Sequence, residues 1–467
     1  MPKRPINADV PAPEEETKEQ SSPPGKPDEE VASPKPIEKR EKKVASPKPV
    51  EKRAAEPKPL APKLLAGLVV LAIAFIVVAI VGGSGGTGDS TVATGPASAP
   101  APALSEESAS DEGAAPPETA ESLGYPGFAT DNTTRVGGAD AAANAAAVAL
   151  AVFPSTTPSQ RPAAVTLVSE EDWAGAIAAA VLMAPPIRAP LLFSAAAELP
   201  EATSEALEAL DPRGDKSSGG ASFFAVGAVA LPGGAAKTTR IDSGDPASTA
   251  AQIATLRDRL FGGPPKHVIV APSASPDIAM PAAAWAARSG DPVLYTETGK
   301  LPQPTAAALE RHPKVPVYVL GPSTAVSSAV VREIGKIAKR VKRVSGEDAV
   351  ANALAFARYG DGDFGWNVND PGHGFVLTRS DSPLEAAAAA ALSASGTWGP
   401  LLLTDDAGTL PAEVRSYFLD VKPGYTTNPT RAFYNHVWVI GDQEAIDVNQ
   451  QAEVNELAEL AKIGGEG

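Results

Sequence analysis

Hydroxyl and carboxylate residues recur at matching positions in the C-terminal two thirds of the chain, beside short apolar runs. Ser169, Asp172, Ser273, Ser275, Asp277, Ser380 and Asp381 follow the first apolar run of each repeating unit, and Ser194, Thr296 and Thr404 end the second. Such side chains can hydrogen-bond the oxygens of a sugar or of a phosphate. The alternative is that they cap helices and form turns, which Ser, Thr and Asp also favour.

Three arginines, at a spacing of about 104 residues, open the same short pattern. Arg135, Arg240 and Arg343 are each followed five residues later by an aspartate. A guanidinium can bind a phosphate group through two parallel hydrogen bonds, so these arginines are candidate ligands of an anionic polymer. A salt bridge to the following aspartate, or to a neighbouring copy of the unit, explains them equally well.

The elements that position these residues are predicted from short apolar runs that alternate with helical patterns. The predicted strands are Ala164–Val168, Pro190–Ser194, Ser222–Val226, His267–Ala271, Pro292–Thr296, Pro316–Leu320, Gly374–Thr378, Pro400–Thr404 and His436–Ile440. The predicted helices are Ala141–Phe153, Ala174–Met183, Ala247–Phe261, Asp277–Arg288, Ala349–Tyr359 and Leu384–Ala394. This alternation predicts βαβ units with parallel sheets, and continuously apolar strands predict helices on both faces. Ligands of such sheets bind beyond the carboxyl ends of the strands.

Two of the predicted helices begin with a capping signal. Ser382-Pro-Leu-Glu385 has the form of a capping box with Pro at the first helical position, and Ser275-Pro276 repeats its first half. The same order of elements occurs three times. The sequence therefore predicts three small, parallel-sheet α/β (Rossmann-like) repeats in tandem, at residues 133–239, 240–342 and 343–467, called copies one, two and three below.

At these residues the chain resembles the cell wall-binding repeat 2 family, whose units usually come as three tandem copies. The matching stretches are Arg135-Val-Gly-Gly-Ala-Asp140, Ser169-Glu-Glu-Asp-Trp-Ala-Gly-Ala-Ile-Ala-Ala-Ala180, Pro190-Leu-Leu-Phe-Ser194 and Val317-Tyr-Val-Leu-Gly-Pro-Ser-Thr-Ala-Val326. The resemblance covers about residues 133–463. It implies a pseudo-threefold arrangement of the copies and a non-catalytic module that binds a cell-wall polymer. An anionic glycopolymer is the candidate ligand that it suggests. The chain departs from the family at the second helix, where only Ser275-Pro-Asp277 keeps the usual Pro-Asp pair.

One uninterrupted hydrophobic run lies near the N-terminus. Residues 64–83 carry no charged residue and no Pro, and their length suffices for a helix that crosses the roughly 30 Å hydrocarbon core of a bilayer. Basic residues precede this run, and residues 82–131 contain no Lys or Arg. By the positive-inside rule, the sequence predicts a single-pass signal-anchor in the cell membrane, with the N-terminus in the cytoplasm and the C-terminal part outside.

The segments on either side of this run have the composition of disordered chain. Residues 1–63 are rich in Pro, Lys and Glu, and residues 84–132 form a Gly/Ser-rich and then acidic linker. The tail contains a near-exact tandem, Val31–Arg40 and Val44–Arg53. Ser33 and Ser46 within it are candidate phosphorylation or docking points, and a low-complexity tail near anionic lipid is the alternative.

Charge and composition exclude several classes of function. Residues 132–467 carry a net charge of −10, which argues against a nucleic-acid partner. The chain has no Cys, so disulfides, thiolate metal sites and Cys nucleophiles are absent. Gly-x-Ser-x-Gly occurs at residues 82–86, in the glycine-rich linker and not at a strand-to-helix elbow, and the sequence has no Ser-x-x-Lys or His-Glu-x-x-His motif. We therefore expect no enzyme activity and no cofactor.

The loop at residues 361–370 has oxygen-bearing side chains at alternating positions, which is typical of calcium loops. It lacks the distal bidentate Glu of an EF-hand, and a plain insertion in copy three is the alternative. Calcium would offer an acidic domain a means to hold an acidic polymer.

The favoured hypothesis is a membrane-anchored cell-wall-binding protein whose triple α/β module contacts an envelope polymer, and whose residues 64–83 contact membrane lipid. One alternative is a module that binds another protein of the envelope. A second alternative is a wall-modifying hydrolase, since a pair of catalytic carboxylates leaves no short motif.

Overall fold

The computed structural model describes residues 131–233, 237–242, 244–396 and 398–463. The predicted tail, the membrane segment at residues 64–83 and all but the last two residues of the linker lie outside these ranges. Within them, no helix is both long and apolar enough to cross a membrane.

The described chain alternates short strands with helices in the predicted order. Copy one contains β1 (Thr133–Val136), α1 (Ala141–Val152), β2 (Val165–Ser169), α2 (Trp173–Ala179), β3 (Leu191–Ser194), α3 (Glu201–Leu210), β4 (Phe223–Val226) and β5 (Thr238–Ile241). Copy two continues with α4 (Pro246–Phe261), β6 (Val268–Pro272), α5 (Pro276–Ala279), α6 (Pro281–Ser289), β7 (Val293–Thr296), α7 (Gln303–Glu310), β8 (Val317–Leu320), α8 (Ser328–Ile337) and β9 (Val341–Val344). Copy three contains α9 (Ala349–Arg358), β10 (Gly374–Arg379), α10 (Pro383–Ser393), β11 (Leu401–Thr404), α11 (Ala412–Asp420), β12 (Gly424–Tyr425), β13 (His436–Ile440), α12 (Val448–Ala458) and β14 (Ala461–Lys462).

All nine predicted strands are present, with bounds that differ by one residue at most. The predicted helix at Asp277–Arg288 is divided into α5 and α6 by Pro281, which has no N–H for the helical hydrogen bond. The helix starts at Pro276 and Pro383 are as predicted, but neither Ser275 nor Ser382 makes a side-chain capping bond. The capping box at Ser382 was therefore wrong, although the helix begins where the motif placed it.

Three parallel four-stranded sheets organise the molecule, and each one is completed by a strand that opens the next sequence unit. The strand orders are β3-β2-β4-β5 in the first sheet, β7-β6-β8-β9 in the second and β11-β10-β13-β1 in the third. β1 pairs in parallel with β13, with Arg135 opposite Val439. The start of the described chain thus closes the sheet made by its end, and the sheets are out of phase with the sequence repeats. The three arginine strands are assigned to the sheets that they complete, so Arg240 is grouped with copy one, Arg343 with copy two and Arg135 with copy three.

The sequence analysis missed β1, β5 and β9. These strands read Thr-Thr-Arg-Val, Thr-Thr-Arg-Ile and Val-Lys-Arg-Val, so no apolar run marks them. They form because a neighbouring sheet edge supplies the backbone partners: β5 pairs with β4 and β9 pairs with β8. A hydrophobic pattern cannot reveal such pairing, which depends on contacts distant in sequence.

Alanine-rich helices of the three copies meet in the interior. α2, α6 and α10 contact one another, and the buried apolar side chains form one continuous cluster. Ala favours the helix and leaves only a methyl group at the contact, so helix axes can approach closely. A pseudo-threefold arrangement of the copies stays a prediction.

Candidate functional site

The carboxyl end of each first strand lies at the boundary with the following copy. The Tyr295 hydroxyl of copy two donates to the Ala174 carbonyl, just beyond β2, at 2.9 Å. The Asn352 Nδ2 of copy three donates to the Ile278 carbonyl in α5 at 3.1 Å. At the remaining boundary α1 packs against α10. The predicted edge residues are therefore grouped by the boundaries between copies.

In copy one, the edge consists of Ser169 and the carboxylate of Asp172. Ser169 is partly buried, and its hydroxyl accepts the Glu171 N–H at 3.4 Å. Asp172 caps α2 by accepting the Gly175 N–H at 2.7 Å, while its Oδ2 is buried without a hydrogen-bond partner. Burial raises the pKa of Asp172, and the hydrogen bond from Gly175 opposes this effect. These contacts support a helix-capping role for Asp172 over a role as an exposed ligand residue.

In copy two, the edge residues are all half-buried. Ser273 donates its hydroxyl to the Thr296 carbonyl at 3.1 Å, which ties the ends of β6 and β7 together. Ser275 and Asp277 lie at the start of α5. The Ser275 side chain makes no capping hydrogen bond, although the alternative hypothesis expected one.

In copy three, the edge carries an ion pair at the surface. The Asp381 carboxylate is 66 % exposed and pairs with Arg379, whose Nη2 lies 3.0 Å and whose Nε lies 3.3 Å from it. This guanidinium lowers the pKa of Asp381. Ser380 is half-buried, and its N–H donates to the Thr404 carbonyl. Arg379, Ser380 and Asp381 together offer both donors and acceptors to a polar ligand.

The three hydroxyl residues that end the second strands have a structural position. Ser194, Thr296 and Thr404 are fully buried. Ser194 donates to the Ala195 and Ala230 carbonyls, Thr296 to the Glu297 and Lys300 carbonyls, and Thr404 to the Asp406 carbonyl. Each hydroxyl stabilises the turn that leaves its strand, so a ligand role would require that turn to open.

Two of the three repeated arginines bind main-chain carbonyls. Arg135 is buried, and its guanidinium donates to Gly441, Asp442 and Ile446 carbonyls at 2.6–2.9 Å and to Gln451 Oε1 at 3.0 Å. Burial lowers the pKa of Arg135, an effect that Asp442 and Asp447 oppose. Arg343 makes the equivalent bonds in copy two, to the Gly321 and Val326 carbonyls. Both arginines fix the turn between a third strand and the helix after it.

Arg240, the third repeated arginine, differs. It is exposed and has no hydrogen-bond or ion-pair partner among the described residues. Of the three arginines it is therefore the one whose guanidinium is available to an anionic group.

The aspartates of the repeated pattern cap helices. From the sequence, a salt bridge to the arginine five residues earlier was the alternative. Asp140 accepts the Ala143 N–H at 2.8 Å, Asp245 the Ala247 N–H at 3.0 Å and Asp348 the Ala351 N–H at 2.8 Å. The repeated pattern thus consists of an arginine, which binds turn carbonyls in two of the three cases, followed by an aspartate that caps a helix. The cap could have been found from the Asp that precedes each helical run.

A carboxylate cluster between copies three and one was missed. Glu385 in the first turn of α10 lies near Asp381 and near Asp140, the cap of α1. Burial raises the pKa of Glu385, and the two neighbouring carboxylates add to the effect. No sequence signal could show it, because Asp140 and Glu385 are joined only by the closure of the third sheet.

The candidate calcium loop has carboxylates that bind cationic side chains of copy two. Asp361 accepts hydrogen bonds from Tyr318 at 2.7 Å and from Arg340 at 2.6 Å, and Lys342 lies 2.8 Å away. These partners lower the pKa of Asp361 to about 2, with the Lys342 and Tyr318 bonds as the largest causes. Asp363 lies 3.1 Å from His267. The described residues contain no cluster of acidic and His side chains that could hold a metal ion.

Comparison with known proteins supplies the remaining observation. Residues 240–331 match the family model described as cell wall binding domain 2. These residues span Arg240, α4 to α7, β8 and the start of α8. The match confirms the resemblance stated above. No curated protein matches the chain.

Two solved structures share the fold. Cwp6 from Clostridium difficile matches with 20 % sequence identity and a TM-score of 0.54, over 70 % of this chain and 48 % of that one. Cwp8 from Clostridium difficile matches with 19 % identity and a TM-score of 0.52, over 70 % of this chain and 52 % of that one. This chain therefore spans about half the length of either protein.

Proposed function

We propose that this protein, which carries a cell wall binding domain 2 repeat at residues 240–331, attaches to the cell wall without catalysis, by binding an envelope polymer with its three α/β copies. The family match carries the proposal. It is supported by the likeness of the whole described fold to Cwp6 and Cwp8, and by the repetition of the same sheet in all three copies. The copies are proposed to stand about a pseudo-threefold axis, which places equivalent edges around one module.

The polymer is proposed to be an anionic glycopolymer, and the charge of the module limits where it can bind. Residues 132–467 have a net charge of −10, so most of the surface repels an anion. Binding therefore requires local cations. Two arginines are the candidates: Arg379, which is paired with the exposed Asp381 at the edge of copy three, and Arg240, which has no partner among the described residues.

Sedimentation with purified wall sacculi tests this function. A fragment of residues 124–467 contains every described strand and helix, and we expect it to sediment with intact sacculi. Acid extraction of the attached polymers should abolish sedimentation, while added Ca²⁺ distinguishes direct from cation-mediated contact. Equal sedimentation with extracted sacculi, or none with intact ones, contradicts polymer binding. Release of soluble fragments from the sacculi would support the hydrolase alternative instead.

The membrane anchor at residues 64–83 is also part of the proposal, with the N-terminus in the cytoplasm. The absence of Cys from the chain makes a labelling test free of background. Single variants Ser46→Cys and Ser90→Cys place one thiol on each side of the hydrophobic run. A membrane-impermeant maleimide should label Ser90→Cys in intact cells, and Ser46→Cys only after permeabilisation. Labelling of both thiols in intact cells contradicts the orientation.

A further inference from the structure

One face of the first sheet lacks the helix that covers the same face in the other copies. In copy two α8 follows the third strand and packs against α7 and β9, and in copy three α12 packs against α11, β13 and β1. In copy one, residues 227–233 and 237, the described part of the connection from β4 to β5, contain no helix. The connection is also shorter, so it cannot reproduce the cover that the other copies have.

A cleft of about 420 Å³ occupies this position, between α3, the start of β4 and the connection. We call it the copy-one cleft. Its lining includes the apolar side chains of Leu207, Phe223 and Pro232, and the polar side chains of Ser204, Glu208 and Ser222. The cleft is thus apolar on one part of its wall and rich in hydrogen-bonding oxygen on another.

Arg240 lies on the same face of the sheet as the cleft. Thr238 is paired with Phe223 and Arg240 with Ala225, and residues two apart in a strand point to the same side. Phe223 lines the cleft, so the side chain of Arg240 leaves the sheet on the cleft side, one strand along and two residues further. In copies two and three the matching arginine is bound by carbonyls of the covering segment. In copy one the turn at Gly227 is present but no helix follows it in the described residues, and the guanidinium has no partner among those residues.

The size of the cleft decides what can fill it. A helix of ten residues, the length of α8, is about 15 Å long and 10 Å wide and so occupies about 1,000 Å³. The copy-one cleft is smaller than this, and Pro232 of the connection forms part of its wall. A cleft of this size falls instead in the range of about 300–1,000 Å³ that holds small organic groups. A docked partner helix is therefore disfavoured.

The chemistry of the lining selects among small groups. A saccharide ring has apolar C–H faces and a rim of hydroxyls, which matches an apolar wall of Phe223 and Leu207 beside the oxygens of Ser204, Ser222 and Glu208. Asp211, which also lines the cleft, is ion-paired with Arg161, and this pairing reduces its repulsion of an anion. Arg240, which has no partner among the described residues, then supplies a guanidinium that suits a phosphate or carboxylate.

We propose that the copy-one cleft binds a saccharide unit of a wall polymer, with an acidic group of that polymer paired to Arg240. This inference rests on the proposed function and assigns copy one a contact that copies two and three do not have. The three copies would thus share an architecture while one of them provides the anion-specific subsite.

Binding of polymer by the full-length protein tests this assignment. The probe is polymer released from purified walls by dilute acid, titrated against the protein in mild detergent by calorimetry. Ser204→Trp fills the cleft from the surface of α3, and Arg240→Gln removes the cation. Arg332→Gln is the matched control, since Arg332 is an exposed arginine on α8, the helix that covers the equivalent face in copy two. We expect about tenfold weaker binding from each cleft variant, and a change of less than about twofold from the control.

Polymer treatment identifies the acidic group. The polymer is treated in one arm with hydrofluoric acid, which removes phosphate, and in the other by chemical reduction of its carboxylates. The treatment that removes the group bound by Arg240 should weaken binding to the wild-type protein. The same treatment should cause no further loss of binding to the Arg240→Gln variant. If Ser204→Trp fails to fold by circular dichroism, Arg240→Gln decides alone. Unchanged affinity of the cleft variants, with wild-type protein bound to intact walls, overturns the subsite and keeps the proposed function. Failure of the wild-type protein to bind walls overturns both.

Discussion

The sheets of copies one and three are completed by strands of nearly the same sequence, β5 and β1, and the arginines within these strands have opposite environments. β1 reads Thr-Thr-Arg-Val and β5 reads Thr-Thr-Arg-Ile. Arg135 is buried with four hydrogen bonds, whereas Arg240 is exposed without a partner among the described residues. The local sequence is therefore not what determines the role of this arginine.

The difference comes from the segment that follows the preceding third strand. After β13 the chain makes a glycine turn at Gly441 and forms α12, whose Gln451 also reaches Arg135. After β4 no helix follows in the described residues, and the same guanidinium binds no carbonyl of that part of the chain. A residue can thus be structural in one copy and free for function in another, depending on the segment that follows the preceding third strand.

Replacement of Arg135 should give the largest loss in the free energy of unfolding, and replacement of Arg240 should hardly alter it. Arg135→Met removes four hydrogen bonds and leaves buried carbonyls unsatisfied, so we expect the free energy of unfolding to fall by about 3–5 kcal/mol. Arg240→Met should change it by less than about 0.5 kcal/mol. Urea denaturation of residues 124–467 measures both. Equal losses would mean that Arg240 has a partner of the same kind in solution.

The contact between copies one and two should have the next largest effect. The Tyr295 hydroxyl is fully buried and is the donor to the Ala174 carbonyl. Burial raises the pKa of Tyr295 well above its usual value, with Asp172 adding to this effect, so the hydroxyl keeps its proton. Tyr295→Phe should lower the free energy of unfolding by about 1–2 kcal/mol. Tyr425→Phe, in the partly exposed β12, is the control and should leave stability unchanged in the same urea titration.

The helix caps should behave alike in all three copies, in contrast to the arginines. Asp140→Ala, Asp245→Ala and Asp348→Ala each remove a carboxylate that accepts a main-chain N–H at a helix start. We expect each to lower the free energy of unfolding by about 1 kcal/mol. A loss confined to the copies that retain a covering helix would show that the cap and the arginine that binds turn carbonyls act together, contrary to the separate roles argued here.

The sequence was sufficient for the nine apolar strands and for most helix starts. Continuous runs such as Leu401–Thr404 have one plausible structure, a strand covered on both faces, and the Asp residues before helical runs are recognisable caps. The pairing of β1 with β13 could not be predicted, because residues 300 positions apart meet only after the copies pack. The family resemblance implied the three copies but not which sheet each arginine strand would join.

The candidate site was predictable by type and less so by environment. Hydroxyl residues at the strand ends were located, yet Ser194 and Thr404 proved to be fully buried and bonded to turn carbonyls. Main-chain carbonyls are acceptors that every residue carries, so a sequence cannot show which of them will reach a given side chain. The same reason explains why the partners of Arg135 and Arg343 were not foreseen.

The smallest expected effect concerns Glu385 at the boundary between copies three and one, where Arg379 pairs with Asp381 and no ion pair to Glu385 is formed among the described residues. Its pKa is raised in the folded state by burial and then by Asp381 and Asp140, so the folded protein binds the proton of Glu385 more tightly than the unfolded chain does. The ionised group therefore destabilises the fold above its folded pKa, and the penalty disappears as the pH falls below the unfolded value near 4.3. Glu385→Gln should raise the free energy of unfolding by about 0.5 kcal/mol at pH 7 and leave it unchanged at pH 4. Glu413→Gln, at the exposed first turn of α11, should show no such pH-dependent gain. A gain in the free energy of unfolding for Glu385→Gln that persisted at pH 4 would indicate a packing effect. The charge of Glu385 would then not be the cause of the lower stability at this boundary.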